Sequence, residues 1–215
     1  MTDSSFIRLL DTVRANAPGA MDGNVRLELF QVVNEFLQRS DIWHEEVELT
    51  TSNQSFFYEM PFFMNGGQIN RLMWLEGQRP PQTSTFQRGT PRRGYLERTG
   101  SQAILKIDFL PANAEVWRAH FAMSVVDPTD NNGLPILPVW IVSKYFDGLT
   151  SGVLFRLMMQ PSKPYSNPKL ADLHGRKFEE AKSLAKKEAR AGFTFDGQRW
   201  TFPQTFRSGS QRMWR

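Results

Sequence analysis

The stretch Glu115-Val116-Trp117-Arg118-Ala119-His120-Phe121-Ala122-Met123-Ser124-Val125 sets the fold class of this chain. Trp117, Ala119, Phe121, Met123 and Val125 fall on one side of a period of two, and Arg118, His120 and Ser124 on the other. That is the pattern of a strand with one buried face. Just upstream, Ala103, Leu105, Ile107 and Phe109 repeat it, with Lys106 and Asp108 turned the other way. The intervening Leu-Pro-Ala-Asn-Ala at 110–114 reads as a turn, so the two segments predict a hairpin. Shorter strands are expected at 43–49, 55–60 and 68–75, giving a small antiparallel sheet or sandwich within 42–126. Gly66-Gly67 reads as a turn.

One insertion interrupts this β region. Residues 77–94 hold three prolines, three glycines, four arginines (Arg79, Arg88, Arg92 and Arg93) and no acid. Such a composition predicts a long loop or an extended hairpin tip.

On either side the period becomes helical. Phe6, Leu9, Leu10 and Val13 share one face of a helix over 4–16, capped by Ser4 or Ser5 and ended by Pro18-Gly19. Val25, Leu29, Val32, Val33, Phe36 and Leu37 form the stripe of a second helix, over 24–40, and the short joint predicts a helical hairpin. Beyond Pro135 and Pro138, Val142, Phe146, Leu149, Val153 and Leu157 predict a helix over 138–160. Its Gly148 and Gly152 permit close approach of another backbone. Asn167 is a natural N-cap and Pro168 suits the first turn of a last helix over 168–191, which Gly192 stops. The expected fold is α+β. A helical bundle, made of the N-terminal hairpin plus two C-terminal helices, carries an inserted small antiparallel sheet or sandwich in a single domain over 1–191. An extended arm follows over 192–215.

The arm is chemically distinct. Phe193, Phe195, Trp200, Phe202, Phe206 and Trp214 alternate with Arg199, Arg207, Arg212 and Arg215. Six large aromatics exceed what a disordered tail carries, and each is worth about 1.5–3 kcal/mol when buried, so the arm is expected to dock on its own fold or on a neighbouring chain. It also lies in the basic part of the molecule. Residues 168–215 carry a net charge of +6 and residues 1–167 a net charge of −2. That asymmetry suits an interaction tail, contact with a polyanion, or a solvated basic helix.

Composition narrows the function classes. The 215 residues contain no cysteine, which removes disulfide scaffolds, thiol catalysis and cysteine-based metal sites. The N-terminus lacks the apolar core of a signal peptide, and the most apolar stretch, 136–159, is interrupted by Lys144, Asp147 and Arg156. A soluble chain with no membrane partner is expected. Its three histidines, His44, His120 and His174, fall in three different elements, and no nucleophile elbow, Walker loop or dinucleotide fingerprint is present. Asp127-Pro-Thr-Asp-Asn-Asn-Gly133 lacks the twelfth-position carboxylate of a calcium loop and reads as a turn. No enzymatic activity and no cofactor are expected.

Two stretches carry a resemblance. Val25-Arg26-Leu27-Glu28 through Phe36-Leu37-Gln38-Arg39-Ser40-Asp41-Ile42-Trp43 resembles the start of head-to-tail adaptor (connector) proteins of tailed bacteriophages, where a helix ending in Arg-Ser/Thr-x-x-Trp leads into a strand. The run 157–168, LMMQPSKPYSNP, is similar to that family's joint between its two C-terminal helices, ahead of a helix of the Phe178, Ala181, Ala185 type. The resemblance covers the order of elements over most of the chain. The 77–94 insertion and the arm do not match it residue by residue.

The resemblance implies a structural protein of the virion neck, present in the host cytoplasm during assembly. It implies a ring of copies, usually twelve, under the portal protein. Such a ring extends the DNA conduit, touches genomic DNA without sequence specificity and offers a platform to a tail, nozzle or tail-tube protein. On that reading Phe193, Phe195, Arg199, Trp200, Phe202, Phe206, Arg207, Arg212, Trp214 and Arg215 dock on the portal or a neighbouring subunit, with Trp200, Phe202, Phe206 and Trp214 as anchors. Arg79, Arg88, Arg92 and Arg93 line the channel or meet the tail. A different neck or tail completion protein, and a nucleic-acid-binding module using the basic C-terminal half, are the alternative readings.

Overall fold

The computed structural model of the protein describes residues 4–77, 91–99, 102–126 and 136–193. Among the described residues, helices α1 (Ser4–Asn16) and α2 (Asp22–Ser40) precede eight strands: β1 (His44–Thr50), β2 (Phe57–Met60), β3 (Phe63–Met64), β4 (Gly67–Glu76), β5 (Pro91–Arg92), β6 (Gly94–Thr99), β7 (Gln102–Ile107) and β8 (Val116–Val125). Helices α3 (Val139–Lys144), α4 (Phe146–Met158) and α5 (Pro168–Phe193) follow. The architecture is mixed α plus β, with two antiparallel sheets among the described residues. One runs β1-β8-β4-β3, with β5 added to β4; the other runs β2-β7-β6.

The expected hairpin of 103–109 with 115–125 does not form. β7 pairs with β2 and β6, while β8 pairs with β1 and β4. Residues 108–115 therefore carry the chain from one sheet to the other. Alternation of apolar residues says which side chains are buried, but it does not say which strand supplies the hydrogen bonds. β8 also departs from the expected single buried face. It is central in its sheet, and every residue from Ala119 to Val125 is buried, His120 and Ser124 included. The strands near 43–49, 55–60 and 68–75 are present as β1, β2 and β4. Asn65 (φ 49°) and Gly66 (φ 82°) make the β3–β4 turn. Gly67 instead begins β4, where a Cβ would fall 2.4 Å from the Trp43 ring.

The first two helices bury the stripes their spacing implied. Phe6, Leu9, Leu10 and Val13 of α1 are buried, as are Val25, Leu29, Val32, Val33, Phe36 and Leu37 of α2. The side chains of Ser4 and Ser5 lie outside the described residues. α2 begins at Asp22, and Arg14 grips that residue at 2.7 Å across the joint. Asp41 ends α2 in the left-handed conformation (φ 55°), its N–H donating to the Leu37 carbonyl at 2.9 Å.

The helix expected over 138–160 is two helices that meet at Tyr145 (φ −107°, ψ 22°). The Tyr145 ring is buried against Phe36, with centroids 5.0 Å apart, and its hydroxyl donates to Glu188. The break lies where these two contacts hold the side chain. α4 packs on α5, α2 and α1. The close approach expected at Gly148 and Gly152 is present. A Cβ at Gly148 would stand 2.4 Å from the Ala181 Cβ, and one at Gly152 would stand 2.6 Å from Val32 Cγ1. Asn167 caps α5 as its sequence implied, accepting from the Leu170 N–H at 3.2 Å. Gly192 does not stop this helix, which runs to Phe193. A glycine costs a helix only about 1 kcal/mol, and without a left-handed turn it does not end one. Among the described residues no helix is long and apolar enough to cross a membrane.

Candidate functional site

The residues singled out by sequence fall in unequal places. Phe195, Arg199, Trp200, Phe202, Phe206, Arg207, Arg212, Trp214 and Arg215 lie outside the described residues, as do Arg79, Arg88 and the Asp127–Gly133 turn. Phe193 is the last residue of α5, and its side chain is likewise outside them. Of the insertion, residues 91–94 are described. Leu75–Glu76 of β4 pair with Pro91–Arg92 of β5, so the two ends of the insertion meet as a ladder.

Arg92 and Arg93 have opposite surroundings. The Arg92 guanidinium sits 5.2 Å from the Phe109 ring centroid and 5.4 Å from that of Trp117. It also lies 3.3 Å from Glu115 Oε2, which accepts the Trp117 indole N–H at 2.7 Å. Arg92 therefore clamps the crossover between the two sheets. Arg93 is exposed, and its carbonyl accepts the Asp108 N–H at 3.3 Å. Arg93 lines a cleft of about 630 Å3 between β4 and β6 with Arg71, Trp74, Tyr95 and Asp108. Arg71 is held by Asp41 at the end of α2. The cleft thus offers a solvated cation, a carboxylate and aromatic surface, which suits contact with a polar chain.

On the outer face of the three-stranded sheet, Phe57 and Tyr95 flank Lys106 on neighbouring strands and are 58% and 55% exposed. The Lys106 ammonium lies 5.3 Å from the Phe57 centroid and 5.7 Å from that of Tyr95, and it pairs with Glu97. An aromatic patch with its cation neutralised favours a protein contact over a phosphate backbone.

The sheet also assembles a polar group that the linear sequence hid. Strand register places Glu46 opposite His120 from one side and Trp74 from the other. His120 Nε2 lies 3.5 Å from Glu76 Oε1 and 3.8 Å from Glu46 Oε2, and the Trp74 ring stacks on the imidazole at 4.2 Å. Glu76 is 2% exposed. Burial pushes the His120 pKa down, Glu46 and Glu76 oppose it, and His44 adds to the lowering. The result is a neutral imidazole between two carboxylates. Glu46 is also held by Arg118 at 3.2 Å. His174, the third histidine, stands alone on α5 with Ser151 Oγ 3.5 Å away. Among the described residues no three histidines or carboxylates are grouped to hold a metal ion. Sequence reasoning placed His44 and His120 in separate elements. Only the β1–β8 pairing makes them neighbours, and no local signal announced it.

No protein-family model matches this chain, and no curated protein sequence matches it.

Proposed function

We propose that this chain is a head-to-tail adaptor of a tailed bacteriophage. Copies of it would form a ring under the portal, extend the DNA conduit and give the tail its platform. One observation carries the reading: both stretches of the resemblance are joints between elements. Ser40-Asp41-Ile42-Trp43 turns α2 into β1, with Asp41 in the left-handed conformation and Trp43 buried against Gly67. The 157–168 stretch links α4 to α5, and Asn167 of that stretch caps α5. The adaptor pattern asks for a helix leading into a strand at the first place and a joint between two C-terminal helices at the second.

Other features support the same role. A helical bundle with an inserted β region presents separate faces to separate neighbours, as a ring with heterologous contacts requires. The exposed Phe57–Lys106–Tyr95 face suits a subunit or tail contact, and Trp140, 48% exposed on α3, adds a second apolar surface. The arm carries aromatic anchors and arginines for the portal.

The test is capture of the tagged protein from its native lysate, with mass spectrometry and electron microscopy of the eluate. Recovery of portal and tail proteins with rings or necks is the expected result, and deleting 193–215 should abolish portal recovery while far-ultraviolet circular dichroism is unchanged. Recovery of tail components without portal would favour a completion protein. Nucleic acid alone, with steep salt dependence, would favour a binding module and end the adaptor reading.

A further inference from the structure

β1 is an outer strand of its sheet and pairs only with β8 among the described residues. The register fixes where its backbone points. The Met123 N–H donates to the Trp43 carbonyl at 2.9 Å, and the Thr51 N–H donates to the Glu115 carbonyl at 2.8 Å. Trp43 and Thr51 therefore face β8, and so do Glu45, Val47 and Leu49 between them. The alternate residues Glu46, Glu48 and Thr50 turn their N–H and C=O groups the other way, to the open edge, where these have no partner among the described residues. An outer strand is normally guarded by charged side chains. Here the carboxylates are drawn back over their own sheet. Glu46 and Glu48 both turn to Arg118 of β8, at 3.2 and 2.7 Å, and Glu45 accepts the Trp43 indole N–H at 3.0 Å. The strand's own side chains thus leave its backbone edge uncovered, with negative charge beside it.

The chemistry of this edge selects its occupant. β1 and β8 together carry Glu45, Glu46 and Glu48 against Arg118, a surplus of negative charge. Burial holds His44 and His120 below 6.5, so neither offsets that surplus at neutral pH. Backbone groups at every second residue ask for an extended chain, and the surplus asks for lysine or arginine on the face of Glu46 and Glu48. On the opposite face, half-buried Val47 and buried Leu49 ask for apolar side chains. The outer strands of a second copy do not offer this pattern. β1 would set glutamate against glutamate, β2 would bring Glu59, and β6 carries Glu97 beside Arg98. Like charges directly opposite destabilise a strand pair. β3 and β5 are two residues long.

We infer that the open edge of β1 accepts an added strand from another protein, an extended segment in which lysine or arginine alternates with apolar residues. The segment pairs its backbone with Glu46, Glu48 and Thr50 and lays its cations beside Glu46 and Glu48. The inference goes beyond the adaptor reading and stands without it, because it rests on strand register and charge alone.

The probe is a capped peptide of alternating lysine and valine, matched to the seven residues of β1, added to the full chain and read by amide hydrogen exchange. Exchange at the Glu46, Glu48 and Thr50 amides should slow about tenfold at saturating peptide, while the Val47 and Leu49 amides, already bonded to β8, should change little. The same peptide with glutamate in place of lysine should protect none of them. Glu48→Pro removes one outward N–H and no hydrogen bond to β8, a change that an edge strand tolerates, and it should abolish the protection at Glu46 and Thr50. Glu46→Gln with Glu48→Gln keeps every backbone group and should weaken peptide binding several-fold. Protection of the three amides before any peptide is added would mean that the edge is filled by this chain or by a second copy, and would overturn the inference. Peptide contact without the alternating pattern of protection, or equal protection by the glutamate peptide, would overturn it as well.

Discussion

Lys182 of α5 meets Glu35 of α2 with Nζ 2.6 Å from Oε1, and Lys182 is 8% exposed. The other Glu35 oxygen takes Arg156 of α4 at 2.8 Å. One carboxylate therefore ties three helices. Replacing it leaves Lys182 with the exposed Glu179 and the Phe178 ring, and Arg156 with Gln31 at 2.7 Å and Glu28 at 3.7 Å. Glu35→Gln should cost about 2 kcal/mol, read as a lowered urea midpoint at pH 7. Burial pushes the Glu35 carboxyl up, but hydrogen bonds from Lys182 and Arg156 outweigh it and hold the group below its ordinary value of 4.5. Its stabilisation is complete above that value and is lost as pH falls through the lower, folded-state value. The acid limb of the stability profile should be shallower in Glu35→Gln, and an unchanged limb would refute this role.

The histidines act in a higher pH range with the same sign. Burial lowers His120 and His44 below 6.5, despite the carboxylates near them, and it lowers His174 with help from Lys177. The unfolded chain then binds protons that the folded chain refuses, so stability is full above 6.5 and falls as pH drops below it. Melting temperature should decline from pH 7.5 to pH 5.5, and His120→Gln should weaken the decline. A His120 ring titrating above 6.5 by NMR would reverse the prediction.

The α4–α5 approach leaves no room at Gly148. Gly148→Ala places a methyl group 2.4 Å from the Ala181 Cβ, so the helices must separate, at about 1–3 kcal/mol. Ala181→Gly in the same chain should return part of that loss. Calorimetry of the two single variants and the double variant gives the coupling, and simple additivity would mean that the helices do not meet there.

Two adjacent arginines should behave differently. Arg92→Ala removes the Glu115 pair and the contact with Phe109 and Trp117, and should destabilise by about 1–2 kcal/mol. Arg93→Ala changes an exposed side chain and should leave the midpoint within about 0.5 kcal/mol. Any loss of DNA or partner contact in Arg93→Ala can then be read directly, without a correction for stability.

The helical stripes of α1 and α2, the Asn167 cap and the period-two faces of β7 were all legible, because each depends on residues within a few positions of one another. The break at Tyr145 was not. It depends on Phe36 and Glu188, more than 40 residues away in either direction. The burial of His120 and Ser124 was also hidden, since a residue reads as outward-facing until a second layer covers it. Arg92 looked like a free cation in a basic loop, and only the crossover of the chain brings Glu115, Phe109 and Trp117 to it.

By itself, then, the sequence determined element type, approximate boundaries, the buried side of each helix and the chemistry of the basic, aromatic C-terminal segment. The tertiary structure decided strand partners, the separation of β7 from β8, and the place of the imidazole between Glu46 and Glu76. The division has a physical cause. Side-chain periodicity is set by local backbone geometry, which neighbours in sequence share. Hydrogen-bond partners and buried charges are set by which distant segments minimise exposed apolar area and unpaired polar groups together, and that is a property of the whole chain.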